Sequence, residues 1–272
     1  MEKIFRLFVI NPGSTSTRVA YYENEKEICG TKLVHPSEEI AKYKTINDQL
    51  PMRRQMVLDY MEEAGIRELD AIVSRGGGGR PIHCGGYAIT PLMVEECSRA
   101  PWPHASNLGV MISIDLMKKF NVPGYIYDAP LADDFIDLAK VSGLPEFPIQ
   151  RGAGHPLNEK AAGHKIAAQL GGRYEDYNFI ICHLGGGITV NAHAKGKIID
   201  SHINAFSPER AGALPMIAFT KKCFSGEWDY DTAFKRQMGG GGLVAYLGTS
   251  DIQEVERRID AGDTKADFYF DA

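Results

Sequence analysis

One arrangement occurs twice in this chain of 272 residues, and it limits the folds open to it. An apolar run, Ile4 to Ile10, leads into the turn Asn11-Pro12-Gly13-Ser14-Thr15-Ser16-Thr17, and Arg18 to Tyr22 then reads as a strand. Ile10-Asn11-Pro12-Gly13 matches Cys182-His183-Leu184-Gly185, 172 residues later, where Phe179 to His183 leads through Gly185-Gly186-Gly187 into Ile188 to Ala194. A third strand follows in each copy, Glu27 to Val34 and Lys197 to Ser201. Two three-stranded meanders a domain apart point to internal duplication, although a single match of this kind also arises by chance.

The stretch between the copies predicts crossovers. Pro51 opens a helix with apolar positions Met52, Met56, Val57, Tyr60 and Met61 at helical spacing. Asp70 to Ser74 is a short strand running into Arg75 and four glycines. Thr90-Pro91 opens a helix to about Arg99, Ser106 is expected to cap another to about Phe120, and Val122 to Tyr127 is a strand ending at Asp128. Three paired strands followed by crossovers give an α/β fold with mixed sheets rather than a plain doubly wound one. Pro145 and Pro148 flank a junction, so the expected domains are 1–150 and 151–272. After the second meander come only helical segments, Leu214 to Phe224, Asp231 to Met238 and Asp251 to Ile259, so the second repeat is expected to be incomplete.

Composition narrows the function. With 44% apolar and 24% charged residues the chain can bury a substantial core, and a net charge of −5 gives no footprint for nucleic acid. Basic pairs such as Arg53-Arg54 and Lys118-Lys119 read as solvated helix faces. No run of eighteen apolar residues predicts a membrane span, and the N-terminus lacks the apolar core of a signal peptide. Five scattered cysteines, Cys29, Cys84, Cys97, Cys182 and Cys223, form no C-x-x-C pair and read as thiols in a reducing compartment.

Three glycine-rich loops, at Gly13, Gly76–Gly79 and Gly185–Gly187, each follow a predicted strand. No G-x-x-x-x-G-K-[ST] is present, and the glycines at 185–187 lead into a strand rather than a helix, so neither common nucleotide fingerprint applies. Backbone N–H groups and hydroxyls at turns between antiparallel strands still make anion sites.

These motifs, taken in order, resemble the acetokinase family of acyl kinases in the acetate and sugar kinase/actin superfamily, and butyrate kinases above the rest. The resemblance is carried by Val9 to Thr17, Ser74-Arg-Gly-Gly-Gly-Gly-Arg-Pro-Ile82, His104-Ala-Ser-Asn-Leu-Gly109 and Asp128-Ala-Pro. It continues through Gly154-His155-Pro-Leu-Asn158, Ile181 to Gly187, Phe206-Ser-Pro-Glu-Arg-Ala-Gly-Ala-Leu-Pro215 and Gly241 to Thr249. It implies the duplicated actin-like ATPase (ribonuclease H-like) fold with mixed five-stranded sheets. It also implies reversible transfer of the ATP γ-phosphoryl to a short-chain carboxylate, with Mg²⁺, in a cytoplasmic homo-oligomer of fatty acid metabolism. By this resemblance Arg75 and Arg210 clamp carboxylate and phosphoryl group, His155 donates to a phosphoryl oxygen, and Asp128 with Asn11 serves the metal. Asn11, Gly13, Ser14, Thr15 and Ser16 line one phosphate loop, His183, Gly185, Gly186 and Gly187 the other, and Asn107 lies near the substrate. The remaining histidines, His35, His83, His164, His193 and His202, read as structural.

Family members continue for roughly another quarter of a domain, which holds the Gly-Gly adenosine stretch and a metal-organising glutamate. A truncated member is therefore expected, with weakened ATP binding. The alternatives are a chain that binds anions or a partner chain without turnover, and an enzyme for propionate or branched-chain acids.

Overall fold

The computed structural model describes residues 3–80, 82–100, 104–130, 132–147, 155–202 and 205–271; Pro148 of the expected junction and Gly154 of the Gly-His motif lie outside them. The chain divides into two compact units, Met1–Asp134 with Gln150–Leu157 and Phe135–Ile149 with Asn158–Ala272.

The first unit opens on the expected meander, β1 (Arg6–Pro12), β2 (Ser16–Glu23) and β3 (Lys26–Val34), all antiparallel. Asn24 closes the second hairpin at φ 53°, a left-handed conformation that asparagine tolerates, and its Oδ1 accepts from the Phe5 N–H. A short helix α1 (Ser37–Ile40) precedes α2 (Leu50–Glu63) and β4 (Ala71–Ser74). Then come β5 (Gly86–Ala88), α3 (Pro91–Ser98), α4 (Asn107–Phe120) and β6 (Gly124–Tyr127).

The sheet order is β3-β2-β1-β4-β6-β5, with β1, β4 and β6 parallel. The edge strand β5 extends the expected five strands to six. Phe8 and Ile10 point from β1 into a core with Ile72 of β4, Val57 and Met61 of α2, and Leu108, Ile112 and Leu116 of α4. The helix spacing read from the sequence therefore does its work against this sheet. Thr90 caps α3 as expected, its hydroxyl accepting from the Met93 N–H. Ser106 does not cap α4: its backbone is already helical and its hydroxyl pairs with His104 Nδ1.

The second unit repeats the meander as β7 (Asn178–Leu184), β8 (Ile188–Ala194) and β9 (Lys197–His202), preceded by α5 (Pro156–Gln169). The last pairs of the two hairpins are Pro12 with Thr17 and Leu184 with Ile188. From Thr17 the pairing shifts register after Tyr21, and from Ile188 it shifts after Ala192, the same step along each second strand. A bulge kept in the same place in both copies supports duplication more firmly than the sequence match alone.

Helices α6 (Met216–Cys223), α7 (Tyr230–Gln237), α8 (Gly242–Leu247), α9 (Ile252–Asp260) and α10 (Thr264–Phe270) complete the unit. The sequence pattern had no signal for the short α8 and α10, whose Leu243 and Ala266 enclose Val255 of α9. Among the described residues, no helix is long and apolar enough to cross a membrane. Among the described residues, Cys29, Cys84, Cys97, Cys182 and Cys223 form no disulfide.

Candidate active site

In the first unit, parallel pairing decides which residues meet. Ile10 lies opposite Ser74, and Ser74 opposite Ile126. The next residues of β1 and β4, Asn11 and Arg75, and Asp128 just past β6 therefore reach one edge, the C-terminal ends of three adjacent parallel strands. Open α/β sheets bind ligands at that edge.

Arg75 is held there by its own N–H, which donates to the Ile10 carbonyl at 3.2 Å. Its guanidinium is half-buried and has no ion-pair partner among the described residues. Burial pulls its pKa below the ordinary arginine value, although a guanidinium stays charged. An unpaired, partly desolvated guanidinium is a receptor for carboxylate or phosphate. Beside it, burial first and the Arg75 charge second pull the His104 pKa below the ordinary histidine value.

Asp128 is buried at φ 42°, a strained backbone for an aspartate, and its Oδ1 accepts from the Gly85 N–H at 2.7 Å. Among the described residues no helix starts directly after it, so it does not act as a helix cap there. Asn107 is buried with its amide engaged: Oδ1 accepts from Gly78 N–H at 2.7 Å and Nδ2 donates to the Cys97 carbonyl at 3.0 Å. It ties the glycine loop to α3. His155 stands at the entrance to α5, half-buried.

The loop at Gly13 is closed by the Gly13 N–H donating to the Ser16 carbonyl at 2.7 Å. Asn11, Ser14 and Thr15 are exposed on it, and Gly13 and Ser16 are half-buried. Arg53 is only 1% exposed beneath this loop, which corrects its assignment to a solvated face; Arg54 is half-buried and pairs with Asp115.

The second unit presents its own loop, Gly185-Gly186-Gly187, between β7 and β8. Segment 207–210 docks on it, with the Ser207 hydroxyl and the Glu209 N–H both donating to the Gly186 carbonyl. This places the Arg210 guanidinium over Gly187, where a Cβ would lie 2.6 Å from Cζ, so a larger residue there would push the guanidinium aside. Arg210 has no ion-pair partner among the described residues. Asn158 Nδ2 donates to His183 Nδ1 at 2.9 Å, which leaves the imidazole proton on Nε2, the nitrogen beside Gly185. Each unit thus carries a polar glycine turn with an unpaired arginine nearby, a constellation suited to handling anions.

No family model matches the chain. A probable butyrate kinase 2 of Caldanaerobacter subterraneus is 41% identical over 276 residues, 99% of this chain and 78% of that protein. Butyrate kinase 1 of Clostridium acetobutylicum is 39% identical over 99% of this chain and 78% of its own length. The chain belongs to the butyrate kinase family. It is therefore related throughout to kinases that act on a carboxylate. Among solved structures, Porphyromonas gingivalis acetate kinase aligns at a TM-score of 0.70 with 16% identity, covering 97% of this chain and 75% of that one. A Francisella tularensis propionate kinase aligns at 0.73 with 16% identity, covering 98% and 76%. These likenesses show the fold, that of the actin-like ATPases.

For this butyrate kinase relative the sequence reading passed over three neighbours of the site. Arg53 had a usable signal, because Arg53, Val57 and Met61 step four residues at a time along the buried stripe of α2. His104 and Glu209 stood inside motifs already singled out, but what each faces depends on chain far away in sequence.

Proposed function

We propose that the chain moves the γ-phosphoryl group of ATP onto a short-chain, butyrate-like carboxylate, reversibly, giving an acyl phosphate and ADP. The observation that carries this is the unpaired Arg75 guanidinium beside Asn11 and Asp128 at the C-terminal strand edge. A carboxylate has a pKa of about 4–5 and is ionised at neutral pH, so the acceptor needs no general base. The barrier is repulsion between anions, which positioned cations and N–H donors lower. Arg75 and Arg210 supply the cations, the loops at 13–16 and 185–187 the donors, and His155 and His183 further hydrogen bonds to phosphoryl oxygens. Asn107 shapes the substrate side by holding the Gly78 backbone.

The residues suit Mg²⁺ bound mainly through water and phosphate. Asp128 offers one buried carboxylate and Asn11 an exposed amide oxygen, the sparse protein set that this ion accepts. When bound, the ion would neutralise charge on the phosphates. We place the reaction in the cytoplasm and the chain in a homo-oligomer, with neither nucleic acid nor membrane as a partner. Propionate and branched-chain acids are the neighbouring substrates.

The test is Mg·ATP-dependent acyl phosphate from butyrate, trapped with hydroxylamine. Arg210→Ala is expected to lower the rate by about 10²–10³, the scale of losing one transition-state donor. Equal signals from both proteins would sink the reading. A second reading, anion or partner-chain binding without turnover, is favoured by the bare apolar face of the second sheet at Ile180 and Leu184. Micromolar ATP binding by the isolated chain would count against it.

A further inference from the structure

Arg53 carries a charge that no carboxylate neutralises. Its five N–H groups are all directed at acceptors. Nε and one Nη2 proton reach Gln49 Oε1 at 3.0 and 2.8 Å, and the other Nη2 proton reaches the Ser14 carbonyl at 2.8 Å. Nη1 reaches the Gly13 carbonyl at 2.7 Å and, at 3.5 Å, Thr17 Oγ1. Every acceptor is neutral, and none of the described residues makes an ion pair with Arg53. Burying a cation is unfavourable unless it is compensated, so such an arrangement needs a reason beyond packing.

The reason lies in the peptide planes. In a trans peptide the C=O and the following N–H point in opposite directions. Holding the Gly13 and Ser14 carbonyls inward on Arg53 therefore turns the N–H groups of Ser14 and Thr15 outward. Neither N–H has an acceptor among the described residues, and both residues are exposed. Two successive outward N–H groups backed by an unneutralised cation form an anion cradle.

We propose that Arg53 is a positioning residue of the first phosphate loop, fixing the Ser14 and Thr15 N–H groups toward a phosphate and lending its charge from behind. This rests on the reading of the chain as an ATP-dependent kinase and adds the residue that shapes its loop. A phosphate on the outer side of the same two peptide planes would act as the counter-ion to Arg53 on their inner side. Gln49 is the partner that orients the guanidinium fork, taking two of its five protons on one oxygen.

The experiment titrates Mg·ATP into the full ¹⁵N-labelled chain and follows the Ser14 and Thr15 amide resonances, alongside steady-state KM values for ATP and butyrate. Arg53→Met removes fork and charge, and is expected to weaken Mg·ATP about tenfold or more, with KM for ATP rising and KM for butyrate unchanged. Arg53→Lys, which keeps the charge, should recover part of the loss. Should Arg53→Met fail to fold, Gln49→Glu decides. It hands Arg53 a carboxylate, so a purely structural arginine would leave the melting temperature equal or higher and Mg·ATP affinity untouched. The proposal expects equal or higher thermal stability with Mg·ATP weakened about tenfold, because the charge is now neutralised from within. Wild-type affinity in folded Arg53→Met or Gln49→Glu overturns the role of Arg53 and leaves the kinase reading standing. Unmoved Ser14 and Thr15 resonances in the wild-type chain at saturating Mg·ATP overturn the phosphate-loop reading and Arg53 with it.

Discussion

The two meanders share their hairpins and their bulge, yet they treat the same strand face in opposite ways. Phe8 and Ile10 on β1 are 0% exposed, covered by α2 and α4. At the matching positions of β7, Ile180 is 71% exposed, Cys182 is exposed, and Leu184 just beyond is 73% exposed. The other face of β7 is the one that is used: Ile181 lies against Gly163 of α5. The strand pattern alone therefore does not decide which face becomes core. The helices that follow decide it, and among the described residues the first unit alone returns crossover helices to this face.

The sharpest way to break this comparison is to truncate both copies at one position. Phe8→Ala is expected to cost about 3–5 kcal/mol, the cavity-bearing scale for a buried phenylalanine. Ile180→Ala should stay within about 0.5 kcal/mol, as for an exposed side chain. Chemical denaturation of both variants checks the pair. Equal costs would mean that something covers the second face in solution.

A second test asks whether each helix is seated on its sheet in the same way. Gly109 of α4 and Gly163 of α5 both mark close approaches. A Cβ at Gly109 would lie 2.2 Å from Ser74 Oγ and 3.2 Å from Pro12, and one at Gly163 would lie 2.7 Å from the Tyr174 ring. Either glycine→Ala change forces overpacking, expected at about 1–3 kcal/mol. Matching losses in thermal denaturation would show one mode of seating. A loss at Gly109 alone would show that Tyr174 yields where Ser74 and the β1 end cannot.

Much of this was legible in the sequence, and what was hidden has physical reasons. Both hairpins, the α3 cap at Thr90 and the strand-terminal places of Asn11, Arg75 and Asp128 follow from local patterns: periodicity, turn residues and a capping hydroxyl. The three-residue β5 is too short to carry a pattern of its own and exists because β6 offers it an edge. Arg53 looked like half of a solvated pair because its acceptors, the Gly13 and Ser14 carbonyls, lie some forty positions away in the chain. The bare face of β7 was equally hidden, since Ile180, Cys182 and Leu184 read as core in any local window.

The underside of the first loop also carries a pH dependence of its own. Beneath the first, His35 is buried between Thr17, whose Oγ1 lies 2.9 Å from Nε2, and Arg53. Burial first, and the Arg53 charge second, push its pKa down to about 4. The unfolded chain, with an ordinary histidine near 6.5, then binds more protons than the folded one between these values. Stability is full above about pH 6.5 and is lost as pH falls toward about 4, by at most about 1.4 kcal/mol per pH unit for one proton. His35→Gln should flatten that slope in denaturation series from pH 7 to pH 4. An unchanged slope would assign the acid sensitivity to other groups.

The smallest effect sharpens the comparison from the other side. If the face of β7 is bare in solution, replacing Ile180 and Leu184 together by threonine removes apolar surface from water without taking anything from a core. Threonine is β-branched and suits a strand at both positions, so the sheet itself should not notice. Stability is then expected to stay within about 0.5 kcal/mol. Binding of an apolar dye such as ANS and self-association at high concentration should both fall, since exposed apolar patches drive both. A stability loss well above that limit, with dye binding unchanged, would show that the first and second faces are covered alike, and that the asymmetry between the two meanders ends when the chain is in water.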